Sequence, residues 1–213
     1  RLTYDDADAL LAAEGGRGSV STSSVGAALG RLNQIARRLQ EMRVSRGATP
    51  FFPIEYRCKV IDGQVEVRAF NTNSASRKLV SEFMVLTGAF AADFALANRI
   101  PFVFRTQQRP DEDPAWSESK ASDPAFIYAS VRKMKRGEAS LQPGLHAGLG
   151  VPAYSQATSP LRRYSDLLVQ RQLLSFLDTG IAHYSSEALF SRMSRAEAMG
   201  NLVRRAGDEA DRY

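Results

Sequence analysis

The sequence predicts an α+β fold, helices packed around a mainly antiparallel sheet. Three observations carry that expectation. Several segments repeat apolar residues every three to four positions, as buried helix faces do. Two strand-like runs, 54–61 and 64–71, flank Asp62-Gly63, a strong signal for a tight hairpin. No internal repeat is present, which argues against a solenoid or propeller.

The elements follow in order. Residues 4–13 predict a short helix with Thr3 as its N-cap. Gly15 to Ser24 is a Gly/Ser-rich loop by composition. Val25, Leu29, Leu32, Ile35, Ala36, Leu39 and Met42 then recur at helical spacing, so 25–45 predicts an amphipathic helix stopped by Gly47. Arg31, Arg37, Arg38 and Arg43 occupy its other face and read as solvated charges. After the hairpin, Leu79, Phe83, Leu86, Phe90 and Phe94 mark a buried helix over 76–98. Pro101 opens a short strand, Phe102-Val103-Phe104. Residues 106–124 are acidic and polar and predict a loop, and 125–136 a short helix with a basic end. Residues 143–160 are rich in Gly, Pro, Ser and Thr and predict an irregular segment. Pro160 stands where a helix favours its first residue, with Ser159 as N-cap, and that helix runs to Leu177 with Gly180 as its stop. A last helix covers 185–213.

With 213 residues the chain is long enough for one large domain or part of a larger one. The longest mainly apolar stretch, 83–97, carries Asp93 and reads as too short for a membrane span, so no membrane is expected. No secretory leader is visible, and the first residue is Arg1 rather than Met, which suggests a natural start upstream. Cys58 is the only cysteine, too few for an internal disulfide or a Cys/His zinc site, and a cytoplasmic setting is the expectation. Formal net charge is +5. Residues 130–172 hold seven Arg/Lys (Arg132, Lys133, Lys135, Arg136, Arg162, Arg163, Arg171) against Glu138 and Asp166. Residues 111–123 show the reverse, so one basic surface facing an anion is expected.

The most informative stretch runs from His146 to Leu167, HAGLGVPAYSQATSPLRRYSDL. Read physically, it is a glycine-containing loop feeding a helix N-terminus, where free N–H groups and the helix dipole attract anions. Thr158 and Ser159 add hydroxyls. Arg162 and Arg163 in a first turn oppose the dipole, an arrangement that a phosphate would relieve. A capped surface helix with ordinary arginines accounts for the same residues.

Thr158-Ser-Pro-Leu-Arg-Arg-Tyr-x-Asp-Leu167 resembles the signature of the RNase II/RNase R family catalytic (RNB) domain. His146 with its Gly-Leu-Gly and Tyr154 match at the family's spacing. Leu2-Thr3-Tyr4, Arg46-Gly47-Ala48 with Phe51, Glu82-Phe83-Met84, and Pro101 to Arg105 follow in family order. The resemblance spans nearly the whole chain, read as the C-terminal portion of a single catalytic domain, 1–213. It implies processive 3′-to-5′ hydrolysis of single-stranded RNA to nucleoside 5′-monophosphates.

By that resemblance Arg162 is the catalytic arginine that holds the scissile phosphate, its N–H fork suited to charge developing on phosphate oxygens. Phe51 stacks on the terminal bases, where core packing is the alternative. Tyr4 sits at the terminal ribose and favours RNA, or else packs at a helix start. Of Ser81-Glu82, where the family pattern has two adjacent acids, either Glu82 contacts ribose hydroxyls or the acid that mattered has become Ser81. His146, Ser159 and Arg163 complete the substrate-binding set, with a structural hydrogen-bonding role as the alternative for His146. Arg77, Gly88, Gln107 and Gln170 depart from the family pattern, which has His, Asn, His and His there.

The resemblance also implies a magnesium ion held by an aspartate cluster upstream of Leu2-Thr3-Tyr4, and flanking OB-fold modules; none is legible in 1–213, so no metal ligand is assigned within it. The expected partners are single-stranded RNA and the missing part of the same polypeptide. A non-catalytic RNA-binding member of the family is the alternative, and a structural domain with a decayed channel a second one.

Overall fold

Thr3 and Asp6 start the first helix by satisfying each other's backbone: the Asp6 N–H donates to Thr3 Oγ1 at 3.1 Å, and the Thr3 N–H to Asp6 Oδ2 at 2.9 Å. This reciprocal cap opens α1 (Tyr4–Gly15) at the residue the sequence predicts. The computed structural model describes residues 2–15, 24–49, 55–70, 74–111 and 123–210. Further elements are α2 (Ser24–Ser45), β1 (Glu55–Ile61), β2 (Gln64–Phe70), α3 (Ala75–Ala97), β3 (Phe104–Thr106), α4 (Pro124–Lys133), β4 (Glu138–Ser140), α5 (Tyr164–Thr179) and α6 (Ser186–Ala210). The fold is α+β as expected. Among the described residues its antiparallel sheet is two separate two-stranded ladders, β1-β2 and β3-β4.

The β1-β2 hairpin pairs Ile61 with Gln64 across a two-residue turn. Asp62 and Gly63 both take positive φ there, 50° and 76°, the backbone that matches strand twist in a tight hairpin. The second ladder departs from expectation. Phe102 and Val103 are buried but unladdered, and β3 begins at Phe104 because its partner, β4, lies opposite 104–106. That partner, Glu138-Ala-Ser140, is too short and polar to carry a strand pattern.

The chain divides into two compact units. The first comprises Arg1–Leu86, Arg109–Lys135 and Ala147–Gly150; the second comprises Thr87–Gln108, Arg136–His146 and Val151–Tyr213. In the first, α1 packs on α2. The buried residues of α2 are small, Gly26 and Ala36, whereas Val25, Leu32, Ile35 and Met42 of its predicted apolar stripe are exposed. Arg31, Arg37 and Arg38 are exposed as predicted; Arg43 is not.

The second unit holds the hydrophobic core. Ala91, Ala92 and Ala95, then Phe102 to Phe104, meet Leu168 and Val169 of α5 and Leu189 of α6. Gln172, fully buried at the centre of α5, donates from Nε2 to the Pro101 and Tyr184 carbonyls and accepts the Tyr184 N–H, so its whole amide is satisfied. At 23 residues α3 is longer than the 83–97 stretch read from the sequence, and by length and composition alone it is long and apolar enough to cross a membrane. The core helix of a soluble protein can have the same length and composition, and Val85, Ala91, Ala92 and Ala95 are buried, although Leu86 and Phe90 are not.

Candidate functional site

In the second unit, the loop before α5 is organised by Asp166, which is fully buried. Its Oδ2 accepts the Ser159 N–H at 2.8 Å and Arg163 Nη2 and Nε at 2.7 and 3.1 Å; Ser165 Oγ donates to Oδ1 at 3.2 Å. A buried carboxylate is costly unless so paired and hydrogen-bonded. The Ser159 carbonyl accepts the N–H groups of both Arg162 and Arg163, closing a turn over 159–162. Consequently α5 starts at Tyr164, with Arg163 at the cap position, and not at Pro160. Ser159 is therefore the anchor of a turn and not the N-cap that the sequence predicts. Arg162 stands ahead of the helix, not within its first turn.

This arrangement separates the two arginines. Arg163 is half-buried and spends Nε and Nη2 on Asp166, with a longer contact from Nη2 to Thr158 Oγ1 at 3.4 Å. Arg163, expected among the substrate-binding residues, is thus mainly the brace of the loop. Arg162 is exposed, and its guanidinium has no partner among the described residues. Asp166 lies within the signature stretch, yet its role as organiser is not among the sequence-based expectations. A carboxylate three residues after an arginine, in a basic stretch, is the signal that points to it.

His146 belongs to the same unit. Its ring stands edge-on to Tyr154 with centroids 5.5 Å apart, and its backbone N–H donates to the Val151 carbonyl at 3.0 Å. Nδ1 is buried without a partner among the described residues. Burial first, and the Arg105 cation second, push the imidazole pKa down to about 4, so the ring is neutral near neutral pH. Tyr154 explains Gly88: a Cβ there would lie 2.3 Å from the Tyr154 ring and 2.4 Å from the Ser155 carbonyl oxygen. The Ser155 N–H donates to the Gly88 carbonyl, and Ser155 Oγ, fully buried, to that of Val103, so the irregular segment is sewn to α3 and to the core strand. Gln170 also has local work: Nε2 donates to the Ala157 carbonyl at 2.7 Å.

In the first unit, Tyr4 is exposed and the Arg77 guanidinium sits 4.4 Å from its ring centroid. Asp8, one turn on, accepts the Ser76 N–H at 2.8 Å, and Ser76 Oγ donates to the Tyr4 carbonyl at 3.3 Å, so the start of α3 is tied to α1. Burial would raise the Asp8 pKa, but the hydrogen bonds from Ser76 and Ser74 and the charge of Arg77 outweigh it and hold it low.

Glu82 requires a correction. It is 3% exposed, and Arg43 engages both its oxygens, Nε at 2.9 Å to Oε2 and Nη2 to Oε1. Arg43 Nη1 also donates to the Leu149 carbonyl at 2.8 Å. The Glu82 carboxylate is thus consumed by an ion pair with α2 and is not free for a ribose, and Arg43 is not a solvated charge. A polar cleft of about 340 Å³ lies beside it, lined also by Asn33, Arg37, Gln40 and Lys78. Ser81 is exposed. Phe51 lies outside the described residues. Among the described residues no group of three or more His, Cys, Asp or Glu side chains could hold a metal ion.

Comparison with known proteins gives these arrangements a context. The RNB domain family matches residues 1–179. An uncharacterised ribonuclease of Synechocystis is 37% identical over 180 residues, covering 83% of this chain and 26% of that protein. An active-site mutant of the Dss1 exoribonuclease of Candida glabrata has a similar structure, with a TM-score of 0.73 and 25% identity over 90% of this chain and 26% of that one. The yeast pseudonuclease Ssd1 has the same fold at a TM-score of 0.58 and 18% identity, over 88% of this chain and 26% of that one. The chain thus spans about a quarter of the length of these relatives. With the family matching most of its length, the signature loop included, the chain belongs to the RNB domain family.

Proposed function

We propose that this chain is part of an exoribonuclease of the RNase II/RNase R type that hydrolyses single-stranded RNA processively from its 3′ end to nucleoside 5′-monophosphates. The observation that carries the reading is Arg162, an exposed and unpartnered guanidinium, among the described residues, on a loop braced by a buried carboxylate. A fork of N–H donors held on a fixed turn can stabilise charge on phosphate oxygens without reorganising. Its neighbours in the turn supply rigidity. Tyr4, with one face under Arg77, offers an aromatic surface to a terminal nucleotide. Magnesium, where bound, would activate the attacking water and stabilise the charged phosphate. The described residues do not form its site, so its ligands are proposed to come from the rest of a longer protein, and single-stranded RNA and that remainder are the proposed partners in the cytoplasm.

The test uses the full-length protein with RNA labelled at the 5′ end. The reading expects mononucleotides and conversion of the labelled strand to a short end product without accumulating intermediates, dependent on magnesium and abolished by a 3′-end block. Binding without any cleavage in magnesium would replace it with a non-catalytic RNA-binding role, the reading that the similarity to a pseudonuclease favours. Absence of RNA binding would overturn both.

A further inference from the structure

Arg105, on β3 of the second unit, is a cation that the fold does not satisfy. It is partly buried, yet among the described residues its guanidinium has no hydrogen-bond acceptor and no ion pair. Its backbone is committed: the N–H donates to the Tyr154 carbonyl at 2.8 Å, and β3 pairs it with Ala139. The side chain runs along Gly137, where a Cβ would lie 3.3 Å from Nε. It also lines a small depression with Gln156 and with Ser165 of the first turn of α5. Arg136 precedes Gly137, and Arg163 precedes that turn, so three guanidiniums share one neighbourhood.

The electrostatics agree with that geometry. Burial lowers the Arg105 pKa most; among the neighbouring charges Glu197 opposes this most strongly, Arg136 and then Arg163 lower it further, and Glu138 opposes weakly, so the net direction is down. Arg163 is already answered by Asp166. Arg105 and Arg136 have no such carboxylate in hydrogen-bond range among the described residues. A half-buried guanidinium without an acceptor costs free energy, since its donors lose water and gain nothing. An anion entering beside it would supply the missing acceptors, and a bidentate phosphate suits the planar fork.

We propose that Arg105 and Arg136 form a second phosphate-binding site, taking an internal phosphodiester of the RNA strand other than the one Arg162 holds. Resting on the functional reading above, it adds a contact that positions the strand without acting at the reacting atoms. The site reads no base, so it serves any sequence. Gly137 keeps the approach to Arg105 open.

The experiment measures binding of single-stranded RNA to the full-length protein in EDTA, so that the strand survives. A panel of strands carries one neutral methylphosphonate linkage at each position in turn. For the unaltered protein, one internal linkage should cost about tenfold in affinity when neutralised. The same linkage should cost nothing further in Arg105→Ala or Arg136→Ala, and Arg105→Lys should recover part of the loss. The dependence of log affinity on log salt should fall by about 0.7 in Arg136→Ala, the increment for one phosphate of a single strand. Arg136 is exposed, so that variant keeps the test open should Arg105→Ala fail to fold. If every neutral linkage costs the variants as much as the unaltered protein, the site does not exist. If the unaltered protein does not bind RNA at all, the functional reading itself has failed, a different outcome.

Discussion

Two arginines of this chain, Arg43 in the first unit and Arg162 in the second, look alike in the sequence and differ in what answers them. Arg43 is clasped by a buried carboxylate and a backbone carbonyl, and all the charge it brings is used inside the protein. Arg162 stands on a turn whose own carboxylate, Asp166, is spent on Arg163 and on the Ser159 backbone. One region neutralises its cation; the other builds a support around a cation and leaves it open. An ion pair closed within the fold is a structural element, whereas an open guanidinium on a braced loop is available to an anion from outside.

The sharpest way to break that comparison is Arg162→Ala in the full-length protein. Turnover on single-stranded RNA should fall by a factor on the order of 10² to 10³, with the unfolding temperature unchanged. Normal turnover would remove Arg162 from the chemistry. Asp166→Ala should do the opposite first. It leaves a half-buried Arg163 and an unpaired Ser159 N–H, which should cost about 3–5 kcal/mol in denaturant unfolding and reduce activity only through the lost turn. A stable Asp166→Ala protein would show that the turn holds without its carboxylate.

Glu82→Gln tests the closed pair. The amide can still accept from Arg43 but loses the charge, so about 1–3 kcal/mol of stability should go while discrimination between RNA and DNA strands stays as it was. A change in that discrimination at unchanged stability would restore Glu82 as a ribose contact. The smallest effect concerns His146. Its folded pKa of about 4 lies below its ordinary 6.5, so the unfolded chain binds the extra proton first. This contribution to stability is full above pH 6.5, declines as pH falls toward 4, and is level below that. His146→Gln should flatten that part of the pH–stability curve; an unaltered curve would mean the ring titrates in the open.

Elements whose causes lie within a few residues are legible in the sequence. The Thr3 cap is a contact across three positions. Asp62-Gly63 carries the positive φ of its turn in its own residue types, and Gly180 does the same at the end of α5. The family resemblance holds because it, too, is a string of neighbouring residues around Arg162. The start of α5 is misplaced by local pattern for an instructive reason. Ser159-Pro160 has the local chemistry of a helix start, but Asp166, seven residues on, takes the Ser159 N–H and converts the segment into a turn. Glu82 reads as free in the sequence because its partner stands 39 positions away. The strand β4 escapes pattern because three half-polar residues have none of their own and exist as a strand only against β3.

The sequence by itself therefore determined the family, the helix and hairpin content, and the residues that could carry charge to a phosphate. Tertiary structure alone decided which of those charges are spent. Residue type sets what a side chain can bond, a property of the chain. Whether a guanidinium finds a carboxylate, as Arg43 and Arg163 do, or stays open among the described residues, as Arg162 and Arg105 do, depends on which distant segment folds beside it.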